Sequence, residues 1–181
     1  MHHLAILLTL SLMLPMSTAL GSLFAGSTQI EGVNYPKMGE HRVTYKLFFK
    51  LYDAALFTEA KASADDVLAR DCAFRLEFRY LRSIPKATIL KSANHMLAKN
   101  LKPETLSRIA QQTEQLHAAY RSVETGDASS LTYIPGKGTT FAINGEQLIT
   151  IAGEEFAQHY LQIWLGKRPI SVKLRDQLLA Q

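Results

Sequence analysis

The chain has 181 residues, of which 47% are hydrophobic and 20% charged, with a formal net charge of +4. This is ordinary globular composition, long enough for one domain with a sizeable core. Its lysines and arginines are scattered and no basic block alternates with aromatics, which argues against a nucleic-acid surface, where affinity comes from clustered phosphate contacts.

In chain order, the first element reads as a signal peptide over residues 1–19. Leu4 to Leu14, LAILLTLSLML, is an apolar run of signal-peptide length and short for a bilayer span. Ser17-Thr18-Ala19 supplies small residues for cleavage after Ala19, and no cysteine follows for lipoprotein processing. The expected location is therefore exported, in the periplasm. Residues 20–181 read as one domain. Its lone cysteine, Cys72, cannot form an internal disulfide and reads as a small apolar core residue.

From Val43 to Thr58 the chain is rich in aromatic and β-branched residues, as strands are. Phe74, Leu76, Phe78 and Tyr80 alternate with Arg75, Glu77 and Arg79, the pattern of a half-buried strand. Ser83 is a candidate helix cap, with Pro85 in the first turn and Ile84, Ala87, Leu90, Ala93 and Leu97 on one face up to a stop at Asn100. A second helix opens at Pro103-Glu104, buries Leu106, Ile109, Ala110, Leu116 and Tyr120, and ends at Thr125-Gly126-Asp127. A three-strand meander follows, with a hairpin turn at Asn144-Gly145. Gly153-Glu154-Glu155 starts a helix that Gly166 closes, and a last helix begins near Ser171. Strands, two helices, a meander and two more helices predict an α+β fold with helices packed on an antiparallel sheet.

Gly136-Lys137-Gly138-Thr139-Thr140 hints at a phosphate loop. The motif needs Ser or Thr directly after the lysine and a helix after the loop; here Gly138 follows, and the next segment alternates like a strand. The stretch reads as a turn, so no nucleotide is expected. His41, His95, His117 and His159 fit no metal-ligand spacing, and there is no G-x-S-x-G elbow. No metal or cofactor is expected. Glu154-Glu155 suits the positive end of a helix dipole. His117 and Tyr120 read as packing and surface. Arg42 stands out, because it precedes a very apolar strand; an inward guanidinium would need an anionic or carbonyl partner.

Three segments carry a family resemblance. Arg42 to Phe57, RVTYKLFFKLYDAALF, resembles the chalcone isomerase-like family, whose exported bacterial members show an arginine, then F-F-K-V-Y, then A-A-L-Y. Leu131 to Gly138, LTYIPGKG, and Gly153 to Phe156 with Ile163-Trp164-Leu165-Gly166 and Pro169 resemble that family's later motifs. The similarity runs from about Gly32 to the C-terminus. It implies an open-faced β-sandwich: a large antiparallel sheet with helices layered on one face and a cleft between them. Plant enzymes of the family cyclise chalcones in that cleft, where an arginine helps hold an oxyanion; relatives that bind fatty acids use an arginine and a tyrosine for the carboxylate. Arg42 matches the arginine, and Tyr52 resembles the binders where the enzymes have threonine. Asn94 matches an asparagine of the enzymes' helix. The enzymes' tyrosine and late Thr/Ser fall near Ala87 and at Ile163, so most of their polar groups are absent or changed.

The resulting expectation is a non-catalytic periplasmic protein that binds a small apolar acid, such as a fatty acid. Arg42, Tyr52 and Asn94 are its ligand-binding residues, and Leu47, Phe49, Leu97 and Leu101 are candidate walls. The alternatives are an isomerase or lyase on an unknown carbonyl substrate, and an envelope-complex partner without ligand. Membrane contact is expected only through an uncleaved N-terminal segment. Arg42 and Tyr52 would lie roughly 33 Å apart on an extended chain, so sharing a site requires a reversal near Thr44 to Lys46, a stretch without Gly or Pro.

Overall fold

The computed structural model describes residues 22–46, 48–59, 64–69 and 72–180. The segment read as a signal peptide, and Leu47, lie outside the described residues. The strands are β1 (Ser27–Ile30), β2 (Val33–Tyr45), β3 (Phe49–Thr58), β4 (Phe74–Tyr80), β5 (Ala128–Ile134), β6 (Gly138–Ile143) and β7 (Glu146–Ile151). They form one seven-stranded sheet in sequence order, every neighbouring pair antiparallel. The helices are α1 (Ala64–Ala69), α2 (Lys86–Asn100), α3 (Pro103–Arg108), α4 (Ala110–Ala119), α5 (Glu154–Leu165) and α6 (Val172–Leu178).

Alternation along the strands separates two faces. Tyr52, Ala54 and Leu56 of β3, with Phe74, Leu76, Phe78 and Tyr80 of β4, join Leu97, Leu116, Phe156, Trp164 and Leu174 from the helices in one core. The other face carries a second, smaller set of buried residues. Phe24, Ala55 and Phe57 form a small cluster there, flanked by rows of charge such as Arg75, Glu77 and Arg79. The expected α+β architecture, helices layered on one face of a large antiparallel sheet, is the one found.

Local chemistry accounts for the turns. Asn144 and Gly145 both have positive φ, 52° and 80°, as a type I′ hairpin requires. At Gly138 a Cβ would lie 2.3 Å from the Ile151 carbonyl oxygen, so that glycine answers to close backbone packing between β6 and the end of β7, not to a phosphate. Lys137 beside it pairs with Glu31.

Three local readings change. Pro85, not Ser83, is the N-cap of α2; the Lys86 N–H is satisfied by Ser122 Oγ at 3.0 Å, while Ser83 donates to Glu124. The single helix expected from Pro103 is two, broken at Ile109 (φ −97°, ψ 7°), whose side chain is buried while Ala110 faces solvent. The second of these stops at Ala119, where Tyr120 turns extended (φ −63°, ψ 147°), and Val123 beyond it pairs with Ile84 as an isolated bridge.

Candidate functional site

A cavity of about 370 Å³ lies between sheet and helices. That is within the size range of small-molecule sites. Leu51 and Tyr52 of β3 and Phe78 and Tyr80 of β4 form its sheet side. Thr88, Ile89, Ser92 and Ala93 of α2 and Tyr160, Ile163 and Trp164 of α5 form its helical side, with Tyr120 at the end of α4. The hollow has a sequence cause. Large rings on β3, β4 and α5 face Thr88, Ser92 and Ala93, which are too short to fill the space. Ser83, Pro85, Thr88 and Ile170 are exposed and form the rim.

Four phenols point into this apolar setting. The hydroxyls of Tyr80 and Ser129 are 2.9 Å apart, and the Tyr160 hydroxyl lies 3.1 Å from His117 Nε2. Tyr120 interacts with Tyr160 and stacks on Phe141 at 4.3 Å between centroids. Tyr52 packs edge-on against Phe78 and Tyr80, at 5.6 and 6.4 Å, and its hydroxyl has no hydrogen-bond partner among the described residues. Burial pushes the pKa of all four phenols up, so near neutral pH they are hydrogen-bond donors and not bases. Burial, then the nearby Lys86 charge, lowers the pKa of His117 behind them.

Of the residues singled out from the sequence, the structure places Tyr52 in the cavity. The expected reversal does occur, at Lys46 (φ 46°), so β2 and β3 pair as a hairpin. Register then separates Arg42 from Tyr52. Tyr52 lies opposite Val43, and Arg42 lies opposite Asp53 on the other face of the sheet. Arg42 Nε and Nη2 donate to the Asp53 carboxylate at 2.6 and 2.8 Å, and this ion pair raises the Arg42 pKa. The anionic partner sought for Arg42 is thus a neighbouring strand residue, and its guanidinium is not part of the cavity lining. Asn94 is exposed on α2, one position beyond the inward Ala93. Among the candidate walls, Leu97 is core, Leu101 is partly buried, and Phe49 is 45% exposed.

Sequence reading missed Tyr80, Tyr120 and Tyr160 as site residues. Its patterns did place Tyr80 and Tyr120 on buried faces; the available signal was the small Ser92-Ala93 pair on the helix facing them. His117 is half-buried against Tyr120 and Tyr160, closer to the site than a surface residue. Among the described residues no lysine or arginine lines the cavity, but a polar cleft opens beside it, sharing Leu51 and Ser83 and lined also by Leu81, Arg82 and Thr125. Among the described residues no cluster could hold a metal ion.

The chalcone isomerase-like family model matches residues 37–180. The chain belongs to the chalcone isomerase-like family. A solved structure of this fold, the crystal structure of an Arabidopsis thaliana fatty-acid binding protein, superposes with a TM-score of 0.66 over 86% of this chain and 90% of that one, at 14% identity. At that identity the likeness shows the fold alone. No curated protein matches the chain. Within the chalcone isomerase-like fold, the cavity described above occupies the cleft between sheet and helices.

Proposed function

We propose that the protein is a non-catalytic binder of a small apolar acid, a fatty acid being the type, and that it works as an exported periplasmic protein. The observation that carries this reading is the cavity itself: an apolar hollow open at one rim, with one unpartnered phenol, Tyr52, inside it. The fatty-acid binding protein of the same fold is consistent with it. A carboxylate is not stable in the apolar floor without a cation, so the acid end sits at the rim. Arg82 is exposed in the adjoining cleft and has no acidic partner among the described residues. Tyr52 pairs with Tyr80, two residues before Arg82, so its hydroxyl belongs to the same end of the sheet. In this arrangement Arg82 faces the carboxylate, Tyr52 donates a hydrogen bond, and the hydrocarbon fills the space under α2. Arg82 thereby takes the role that the family resemblance suggests for Arg42.

Among the described residues no group that lines the cavity changes charge near neutral pH, which supports binding over general acid–base chemistry. The test is mass spectrometry of what co-purifies, followed by titration with dodecanoate of wild type, Tyr52→Phe and Arg82→Ala. Saturable binding by wild type, weakened in both variants, is expected. Binding that is negligible in all three, with nothing co-purified, would reject the proposal.

A further inference from the structure

The tip of the β2–β3 hairpin is built unlike the rest of the surface. Tyr45, Phe48 and Phe49 are 56%, 84% and 45% exposed, and they are half of the large exposed apolar residues among those described. They share this tip with Lys46 and Lys50, both exposed. No acidic residue occurs between Arg42 and Tyr52. Arg82 joins them in space, its guanidinium 4.9 Å from the centre of the Phe49 ring, and Lys46 lies 5.4 Å from that of Tyr45. Glu124, on the neighbouring loop, is held by Ser83.

We infer that this hairpin tip docks onto an anionic lipid surface. Its most exposed ring, Phe48, stands beside the turn, next but one to Lys46. The three rings expose only a few hundred Å² in total, well short of the roughly 800 Å² per partner of a stable protein interface. Aromatic rings flanked by Lys and Arg are instead the composition of an interfacial anchor, where rings sit at headgroup depth and cations meet anionic lipid. The position adds a reason. Leu51, at the base of this hairpin, lines both the cavity and the polar cleft, and Leu81 N donates to Leu51 O at 2.9 Å, which fixes Arg82 beside the hairpin. The rim of the cavity therefore sits at the docked end, where an apolar ligand can pass between bilayer and protein without crossing water. Docking itself does not depend on what fills the cavity.

The test uses the full chain carrying Phe48→Trp, a surface change. It is mixed with vesicles of phosphatidylcholine and phosphatidylglycerol that carry brominated acyl chains. The new indole is expected to shift to the blue and lose intensity, while the wild-type emission, from the inward Trp164, does not. Adding Lys46→Glu and Lys50→Glu is expected to abolish the effect, as is replacing phosphatidylglycerol by phosphatidylcholine. This readout reports the hairpin even if the N-terminal apolar segment also holds the chain on the vesicle. An unquenched indole at position 48 would overturn the inference. So would a vesicle-free dimer, seen by sedimentation velocity, that Phe48→Ser dissolves.

Discussion

Arg42 and Tyr52 are separated by a single step of register, and that step decides what each can do. Val43 opposite Tyr52 puts Arg42 on the outer face, where Asp53 is buried and its carboxylate is held in a two-point contact. Removing one partner of such a pair leaves the other charge poorly solvated. Arg42→Ala is therefore expected to lower stability by about 1–3 kcal/mol in urea unfolding, with dodecanoate affinity unchanged. Tyr52→Phe should behave oppositely. Its hydroxyl has no partner among the described residues, so the empty protein keeps or slightly gains stability, while ligand affinity falls roughly 3–10-fold with one lost hydrogen bond. Parallel thermal melts and titrations of the two variants separate a structural arginine from a binding tyrosine. The family motif in the sequence draws attention to both residues; only strand register, a non-local property, tells which face each occupies.

Elements show the same division between local and long-range information. The period-two pattern of Phe74 to Tyr80, the Asn144-Gly145 turn, and the Ser171 cap, whose hydroxyl accepts from Leu174 N at 3.2 Å, are written locally and are legible in sequence. The break at Ile109 is not, because nothing at that position lacks helix propensity; burial of the Ile109 side chain goes with a backbone turned out of the helix there. The start of α2 depends on Ser122, far along the chain, and local pattern cannot supply it. Between α4 and α5, the burial of His117 gives a pH dependence. The folded-state pKa values of His117 and His41 lie below the ordinary 6.5: burial lowers both, reinforced by Lys86 at His117 and Lys173 at His41. In that window the unfolded chain binds more protons, so stability is full above about pH 6.5 and declines as pH falls. His117→Gln is expected to show a smaller loss of Tm than wild type between about pH 7.5 and about pH 5.5. Glu40 adds a lower window. Burial raises its pKa, but hydrogen bonds from Lys37, Ser22 and the Leu23 and Phe24 N–H groups outweigh that and lower it, so its contribution fades below about pH 4.5.

Across the whole molecule, one sheet and one helical layer bury a common core and leave a hollow where α2 presents small side chains to a wall of rings. The architecture is legible from element order and three motifs. The hollow is not, since it depends on Ser92 and Ala93 meeting Phe78, Tyr160 and Trp164 across space. Ala93 is the position from which to test it, being 6% exposed and on the cavity wall. Dodecanoate titration of wild type, Arg42→Ala and Ala93→Phe, each confirmed folded by circular dichroism, distinguishes a ligand held in this cavity from one held by Arg42. Saturable binding by wild type and Arg42→Ala, abolished when the larger ring at position 93 fills the cavity, is the expected result. Ala93→Phe binding as tightly as wild type, or binding that disappears only with Arg42, would rule out a ligand site beneath α2.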